Sequence, residues 1–441
     1  MINHKQWPFV PVNNKSFDEL QIVSAKGSYI YTSENKKLLD ASAGAAVGNI
    51  GWGRKSVAEA SSKSLQSLTY ALPPFATPER LELVELLIND WLPEGLNKVS
   101  FFGSGSEAAD TSIRLARQYQ LSKGRSSRWK VIGRDVSYNG TSLATLAVGG
   151  HASRRAGFEP LLLDMPHASA CYCLRCPMGK TYPNCKIDCA TNLEEIILKE
   201  GADTIAAFIA EPIIGTSGGA IVPPDEYWPK IAQICKKYDV LLIADEILTG
   251  FGRTGKKFAV DHWNIKPDIL LLGKGLSGGY APMSAVVATT EITDSLQNAG
   301  IMAMYHTYGG HPASCAAAIE VLKILKREKL IERVSRLGPI FHEKLQTLTS
   351  KKNVAELRGK GFLYAIELVK DRDNLRHYPK EDGITFKIVD ACVKRGVFVY
   401  FGGTGEVRDI ICLAPPYIID EEQMDRIVSV LSDSIDEICG I

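Results

Sequence analysis

The sequence predicts an α/β chain organised on an open, mostly parallel sheet, and three stretches carry that expectation. Val240-Leu241-Leu242-Ile243-Ala244, Asp268-Ile269-Leu270-Leu271-Leu272 and Ile205-Ala206-Ala207-Phe208-Ile209-Ala210 are short, almost continuous apolar runs. A strand covered on both faces by helices reads this way, without the alternation of a half-exposed strand. Each run leads into an ionisable residue flanked by small or turn-forming neighbours: Asp245, Lys274 and Glu211. Ligands of open parallel sheets bind beyond the carboxyl ends of the strands, so these side chains stand where a common guest would sit. A lysine held against apolar walls has its ammonium form disfavoured and can act as a nucleophilic amine or carry a Schiff base. An aspartate nearby suits a protonated heterocyclic nitrogen. The same pair also describes a salt bridge or two helix-entry residues.

At 441 residues the chain can bury one large core and a second, smaller one. Its 51 lysines and arginines balance 50 acids, which leaves no global field for nucleic acid or an anionic membrane. The expected partners are small molecules and further copies of the chain. No apolar run is long enough to span a bilayer, and Met1 to Trp7 lacks the apolar stretch of a secretory signal, so the expected location is the cytoplasm. Five of the ten cysteines fall together as C-x-C-x2-C-x8-C-x3-C from Cys171 through Cys173, Cys176 and Cys185 to Cys189, with His167 just upstream. A structural zinc site, a redox-sensitive loop and plain free thiols all fit that pattern, which is not a standard zinc spacing.

In chain order, Gly27 to Thr32 alternates as a strand does and is followed by Leu38 to Gly44. From Pro78 a helix is predicted through Leu81, Leu83, Val84, Leu86 and Leu87, spaced by threes and fours. Val99-Ser100-Phe101-Phe102 reads as a strand that enters Gly103-Ser104-Gly105-Ser106-Glu107, and a helix follows through Ile113, Leu115, Ala116 and Tyr119. Glycine lets a backbone approach an anion, and the free amides of a helix N-terminus then face it, so Gly105 and Ser106 form a candidate phosphate cup. A strand from about Trp129 to Gly133 leads to Asp135-Val136-Ser137-Tyr138-Asn139-Gly140-Thr141. Further on, helices are predicted from Ala313 to Lys326 and to about Leu348. Strands follow at Gly361 to Leu368, Gly396 to Tyr400 and Asp409 to Leu413, with a last helix from about Asp420. The expected division is an N-terminal part of a small domain at 1–65, a large domain at 66–328 with a cysteine-rich insertion near 165–190, and the rest of the small domain at 329–441.

The words around Asp245 and Lys274 say more. Asp245-Glu246-Ile247-Leu248-Thr249-Gly250-Phe251-Gly252-Arg253-Thr254-Gly255, then Pro267-Asp268, then Gly273-Lys274-Gly275-Leu276-Ser277-Gly278-Gly279-Tyr280-Ala281-Pro282, closely resembles the signature of class III (omega) aminotransferases. These are fold-type-I enzymes that use pyridoxal 5'-phosphate. The resemblance implies a large α/β domain with a mostly parallel, seven-stranded sheet and a small α+β domain made from both chain ends. It implies that Lys274 carries the cofactor as a Schiff base and that Asp245 pairs with the pyridine nitrogen, so that the cofactor serves as an electron sink. Ser104 to Ala108 matches the family's S-G-S-E-A word, which puts Gly105 and Ser106 on the cofactor phosphate. Tyr138 is implied as the ring-stacking residue, with Asn139 where relatives carry histidine. Glu211 falls in the family's E-P word near the cofactor; a carboxylate holding an arginine or a backbone amide is the other reading. His306 to Pro312 matches the word in which Thr307 reaches the phosphate in the partner subunit, which implies a homodimer; a turn or helix-cap threonine is the alternative.

The substrate side rests on departures from the family. Thr216 stands where members specialised for glutamate and ornithine-like compounds carry glutamate, and Leu248 where many relatives carry glutamine. Thr216 makes the pocket less like theirs, and an apolar residue at Leu248, as in the amine:pyruvate-like and diaminopelargonate-like branches, favours an omega-amine donor. Trp52, in the loop Gly48 to Gly53, replaces a common histidine and is expected to wall the substrate pocket or to lie at a surface or subunit contact. Arg408 is expected to hold a substrate carboxylate, or to be an exposed structural arginine. Specificity is expected in loops near Trp7, Trp52, Phe75 and Arg408. The implied activity is transamination of an omega-amino acid or amine with a keto acid, pyruvate or 2-oxoglutarate. Two alternatives stay open. One is a diaminopelargonate-type aminotransferase, suggested by D-E-I-x-T-G-F-G-R-T-G-K and the start Trp7-Pro8-Phe9; the other is a racemase or aminomutase on the same scaffold.

Overall fold

The computed structural model describes residues 20–302 and 304–440, so Trp7 and its neighbours lie outside the described residues. Its largest sheet has eight strands. Their spatial order is Leu96–Phe102, Ser284–Thr289, Ile269–Leu272, Leu241–Asp245, Ile205–Ala210, Lys130–Asp135 and Gly149–Gly150, and the short strand His167–Ala168 also pairs with Lys130–Asp135. All pairings are parallel except the two made by Ser284–Thr289. The apolar patterns mark five of these strands and the family resemblance implies seven; Ser284–Thr289 went unread, as did the two-residue strands, which are too short to leave a pattern.

The apolar runs are buried at every position in Ile205–Ala210, Leu241–Asp245 and Ile269–Leu272. Successive side chains divide between the two faces of the sheet. Ala207, Ile209, Ile243 and Leu271 share one core cluster with the helix Gly105–Ser122, whereas Phe208, Ala210, Leu242, Leu270 and Leu272 belong to the separate, larger core that includes the helix Tyr227–Tyr238. This two-sided burial is the reason the runs are continuous rather than alternating. Register between the central strands is fixed at their start: the Leu242 amide donates to Asp268 Oδ2 at 2.7 Å, and the Asp268 amide to the Leu242 carbonyl at 2.9 Å. Leu271 then lies opposite Asp245. Both strands end at one edge of the sheet.

Two four-stranded sheets complete the fold. One joins Ile22–Lys26, Tyr29–Thr32 and Lys37–Asp40 to Val397–Phe398, so the two ends of the chain pair directly. The other is antiparallel, in the order Val354–Lys360, Leu363–Leu368, Val407–Leu413 and Tyr400–Thr404. The stretch Gly396 to Tyr400 is thus not the single strand expected. It breaks at Val399, because its first half pairs with Lys37–Asp40 and its second half with Val407–Leu413. The unexpected strand Val354–Lys360 has its inward positions partly filled by Arg358, whose guanidinium donates to the carbonyls of Gly218 and Gly219 and pairs with Glu367. A polar residue on the inner face erased the apolar alternation.

The late helices follow expectation, at Pro312–Arg327, Leu330–Gln346 and Glu421–Cys439, the last capped by Asp420 with Gln423 reaching back. All ten cysteines are free thiols. Cys173, Cys176, Cys185 and Cys189 border one void of about 20 Å³, yet no three His, Cys, Asp or Glu among the described residues are placed to hold a metal ion. No helix among the described residues is long and apolar enough to cross a membrane.

Candidate active site

A cavity of about 270 Å³ opens at the carboxyl ends of the parallel strands and is lined by Lys274, Asp245, Glu211, Tyr138 and the Gly105-Ser106 turn, among others. Lys274 follows Leu272 by one glycine and sits at φ +35°, a left-handed conformation that side-chain-bearing residues rarely adopt. Burial pulls its amine down to about 8, against the opposing pull of the Glu211 and Asp245 carboxylates. At pH 7 about a tenth of this lysine is therefore uncharged, far more than an exposed lysine offers.

Asp245 is buried at the end of its strand and accepts from Asn139 Nδ2 at 2.8 Å and from the Ile247 amide at 3.2 Å. Burial raises its pKa, while the Asn139 and Ile247 bonds and Lys274 lower it. Asn139 is itself oriented by Ser137, whose hydroxyl donates to Asn139 Oδ1 at 3.2 Å. Glu211 accepts the amides of Tyr138 at 3.1 Å and Gly215 at 2.9 Å. Burial and the neighbouring Asp245 push it up to about 7. It therefore clamps the loop that presents Tyr138 while facing the cavity.

At the other end of the cavity Ser104 caps the helix Gly105–Ser122, and Glu107 closes a capping box, accepting the Gly103 amide at 2.7 Å and the Ser104 amide at 3.2 Å. The amides of Gly105 and Ser106 come next, in the first turn, where no intrahelical acceptor exists. Gly140, at φ +138°, crosses this turn so closely that a Cβ there would lie 2.8 Å from Ser106 Oγ, and Ser106 Oγ accepts the Thr141 amide at 3.1 Å. Ile247 fills the space between two glycines: a Cβ on Gly105 would approach it to 3.0 Å and one on Gly273 to 3.1 Å. The two glycines leave the room that lets this isoleucine line the cavity beside Asp245.

Comparison with known proteins agrees with this frame. The family profile described as "Aminotransferase class-III" matches residues 9–435. The chain belongs to the class III aminotransferases. It is 37% identical over 419 residues, 94% of this chain and 90% of the relative, to a putrescine–pyruvate aminotransferase of Pseudomonas aeruginosa. It is 36% identical over 439 residues, 97% and 94% of the two chains, to gamma aminobutyrate transaminase 2 of Solanum lycopersicum. Among solved structures, the omega transaminase from Pseudomonas jessenii in complex with PMP is similar with a TM-score of 0.91 and 32% identity, covering 98% of this chain and 96% of that one. An (S)-enantioselective omega-transaminase from Thermomicrobium roseum gives 0.91 and 34%, with the same coverage of 98% and 96%. The architecture is that of fold-type-I transaminases, whose family uses pyridoxal phosphate.

In this aminotransferase the remaining residues singled out in the sequence fall in different places. Thr216 and Leu248 line the cavity. Trp52 does not: its indole donates to Asp40 Oδ2 at 3.0 Å and packs on Gly48, where an added Cβ would meet the ring at 2.6 Å. Arg408 is also away from the cavity, with Nη1 donating to the Tyr378 carbonyl at 2.6 Å. Thr307 is exposed, its carbonyl accepting from Tyr70 Oη at 3.1 Å. Its neighbour His306 reaches back to Glu107 at 3.4 Å, so the Thr307 loop lies beside the capped helix without entering its own chain's cavity.

The sequence reading missed His151, Arg154 and Tyr400, which form the outer wall of the cavity. His151 meets the Tyr138 ring edge-on at 6.1 Å, and the Arg154 guanidinium lies 4.8 Å from the same ring. Tyr400 stacks on Phe401 at 4.6 Å. A histidine, an arginine three positions later and a tyrosine from a distant strand carry no signal of their own until the fold brings them to one cavity wall.

Proposed function

We propose that the protein catalyses pyridoxal-phosphate-dependent transfer of an amino group from an omega-amino acid or amine to a keto acid, pyruvate or 2-oxoglutarate, and works as a cytoplasmic homodimer. One observation carries the reading: an amine brought down to about 8 and a buried aspartate share one cavity at the ends of adjacent parallel strands.

The residues present fit pyridoxal phosphate. A helix N-terminus with unpaired Gly105 and Ser106 amides suits a phosphate. Tyr138 and Ile247 are apolar faces for a flat ring, Asp245 is an anion for its protonated nitrogen, and Lys274 is an amine for its aldehyde. When bound, this group supplies an electron sink for the charge left when a substrate carbon loses a proton. Lys274 Nζ would anchor the group and, once displaced by the incoming amine, would take the proton from the substrate carbon and deliver it to the carbon that the aldehyde had supplied. A value near 8 suits both directions of that transfer, because general acid–base work is most effective near the working pH. Asp245 would hold the ring nitrogen in its protonated form, and Asn139 and the Ile247 amide lower its pKa against the rise that burial causes. Glu211 holds the Tyr138 backbone in place.

Thr307 is proposed to serve the partner's phosphate. Its exposure supports this, as does the surrounding apolar surface, where Phe75 is 65% exposed, Met302 83% and Tyr308 69%. The relatives acting on putrescine and gamma-aminobutyrate support a donor whose amine is terminal. The test is a half-reaction: the cofactor-loaded yellow protein is mixed with one amine at a time and its absorbance followed. Bleaching by an omega-amine, reversed by pyruvate or 2-oxoglutarate, is the expected result. Protein that never bleaches yet racemises an amino acid unaided would overturn it.

A further inference from the structure

The outer wall of the cavity holds a cation with nothing to neutralise it. The Arg154 amide donates to the His151 carbonyl at 3.0 Å, but its guanidinium makes no hydrogen bond or ion pair among the described residues and lies over the face of Tyr138, 4.8 Å away. The arginines around it are committed. Arg155, next in sequence, donates from Nη1 to the carbonyls of Leu146, Ala147 and Gly149 at 2.5, 2.8 and 3.1 Å and so ties down the turn. Arg134 is fully buried and donates to the Glu211 carbonyl at 2.6 Å. Arg408, the arginine the sequence offered for this task, is bonded to the Tyr378 carbonyl and stays outside the cavity.

His151 adds no second charge. Burial and the neighbouring Arg154 bring it down to about 4, and its Nδ1 is 2.9 Å from Thr404 Oγ1. The outer wall therefore presents a single full positive charge, set over an aromatic face and lined by the half-buried Tyr400. A guanidinium held by an aromatic ring keeps its N–H groups for a planar, two-oxygen anion. The floor of the same cavity holds the amine and the acids, so a guest that reaches both has a carboxylate at one end and an amine or carbonyl at the other.

We propose that Arg154, rather than Arg408, binds the substrate carboxylate, and that the preferred donors are omega-amino acids rather than uncharged amines. This rests on the cavity being the transamination site. It deepens that reading by naming the charge of the substrate and the residue that selects it. The keto acid acceptor has a carboxylate too, and Arg154 receives it in the second half of the cycle.

The experiment compares wild type, R154L, R154K and R408Q as cofactor-loaded enzymes. The half-reaction is run with 4-aminobutyrate and with n-butylamine, which differ by the carboxylate, and the ratio of their kcat/KM values is the readout. Losing a charge-assisted bidentate contact should lower that ratio about 10- to 100-fold in R154L, with R154K between. R408Q should keep the wild-type ratio. A second readout needs no turnover: calorimetric titration of the loaded enzymes with butyrate, which has the carboxylate and no amine, should show the same loss of affinity in R154L. An R154L enzyme in which both donors fall together, or one in which butyrate binds as before, overturns the proposal. So does R408Q carrying the loss. A wild type that bleaches with neither donor overturns the transamination reading instead, and the butyrate titration still decides the role of Arg154.

Discussion

The floor and the outer wall of the cavity are built in opposite ways. On the floor, Lys274 and Asp245 sit at the ends of strands whose registry is locked by Asp268, and each is held by residues within a few positions of a strand end. On the outer wall, His151 comes from a loop, Arg154 from the one-turn helix Ala152–Arg155 that follows it and Tyr400 from the edge strand Tyr400–Thr404, and the Arg154 guanidinium is held by one ring contact. Chemistry placed on rigid strand ends keeps its geometry whatever substrate arrives, whereas a wall outside the central sheet can change its charge without disturbing that sheet. Conserving a reaction while varying its substrate requires this separation.

Breaking the floor should cost most. Lys274→Ala removes the amine proposed both as covalent anchor and as the group that moves the proton, and turnover should fall by at least about 10⁴ while the protein stays folded. Steady-state rates and sedimentation together check this, and a folded variant with near-normal activity would sink the assignment. Asp245→Ala should cost roughly 10² to 10³ in kcat, the size of losing one preorganised electrostatic partner. Stopped-flow half-reactions would show the loss in the proton-transfer step rather than in amine binding.

Glu246, the very next residue, sharpens the comparison because it is an acid of the same burial with a different partner set. It faces away from the cavity, accepting the Thr249 hydroxyl and the Val260 amide, and burial pushes it up to about 7. A carboxyl raised in the folded state stabilises most below its unfolded value of 4.5 and loses that contribution as pH rises through about 7. The full span is worth on the order of 3 kcal/mol. Glu246→Gln cannot ionise, so the fall in stability of the cofactor-free protein between about pH 5 and 8 should be shallower than in wild type, where Glu211 titrates in the same window. Thermal unfolding across that range is the measurement. An unchanged slope would show that Glu246 is not the group responsible.

The same contrast explains how much could be read from the sequence. Two-sided burial writes continuous apolar runs, so the central strands and the residues ending them were legible, whereas the capped glycine turn at Gly105 became legible only through the family's S-G-S-E-A word. The stretch Gly396 to Tyr400 misled because strand pattern reports burial and not partner, and one extended segment served two sheets. Arg408 and Arg154 look alike in a sequence. Only the placement of Tyr378, Asp409 and Tyr138 shows that one guanidinium is bonded to a carbonyl and a carboxylate and the other left over a ring. Asn139 was legible as a departure from the family, but its task was not, because the bond to Asp245 spans 106 positions.

That bond gives the subtlest way to test the floor. Asn139→Ala removes one hydrogen bond to a buried carboxylate and should lower kcat/KM by about 10-fold, since bonds to charged groups contribute roughly 1.5 to 3 kcal/mol and the Ile247 amide remains. The loss should depend on pH in a definite direction. Asn139 lowers the pKa of Asp245, so without it the carboxyl holds its proton to higher pH and less of it is ionised at the acidic end. The acidic limb of the kcat/KM profile should therefore move to higher pH, and the deficit should shrink as pH rises. Asn139→His, the residue common in relatives, keeps a donor in reach and should leave the limb closer to wild type. If Asn139→Ala lowers activity equally at every pH, Asn139 acts by positioning Tyr138 and not by holding the charge of Asp245.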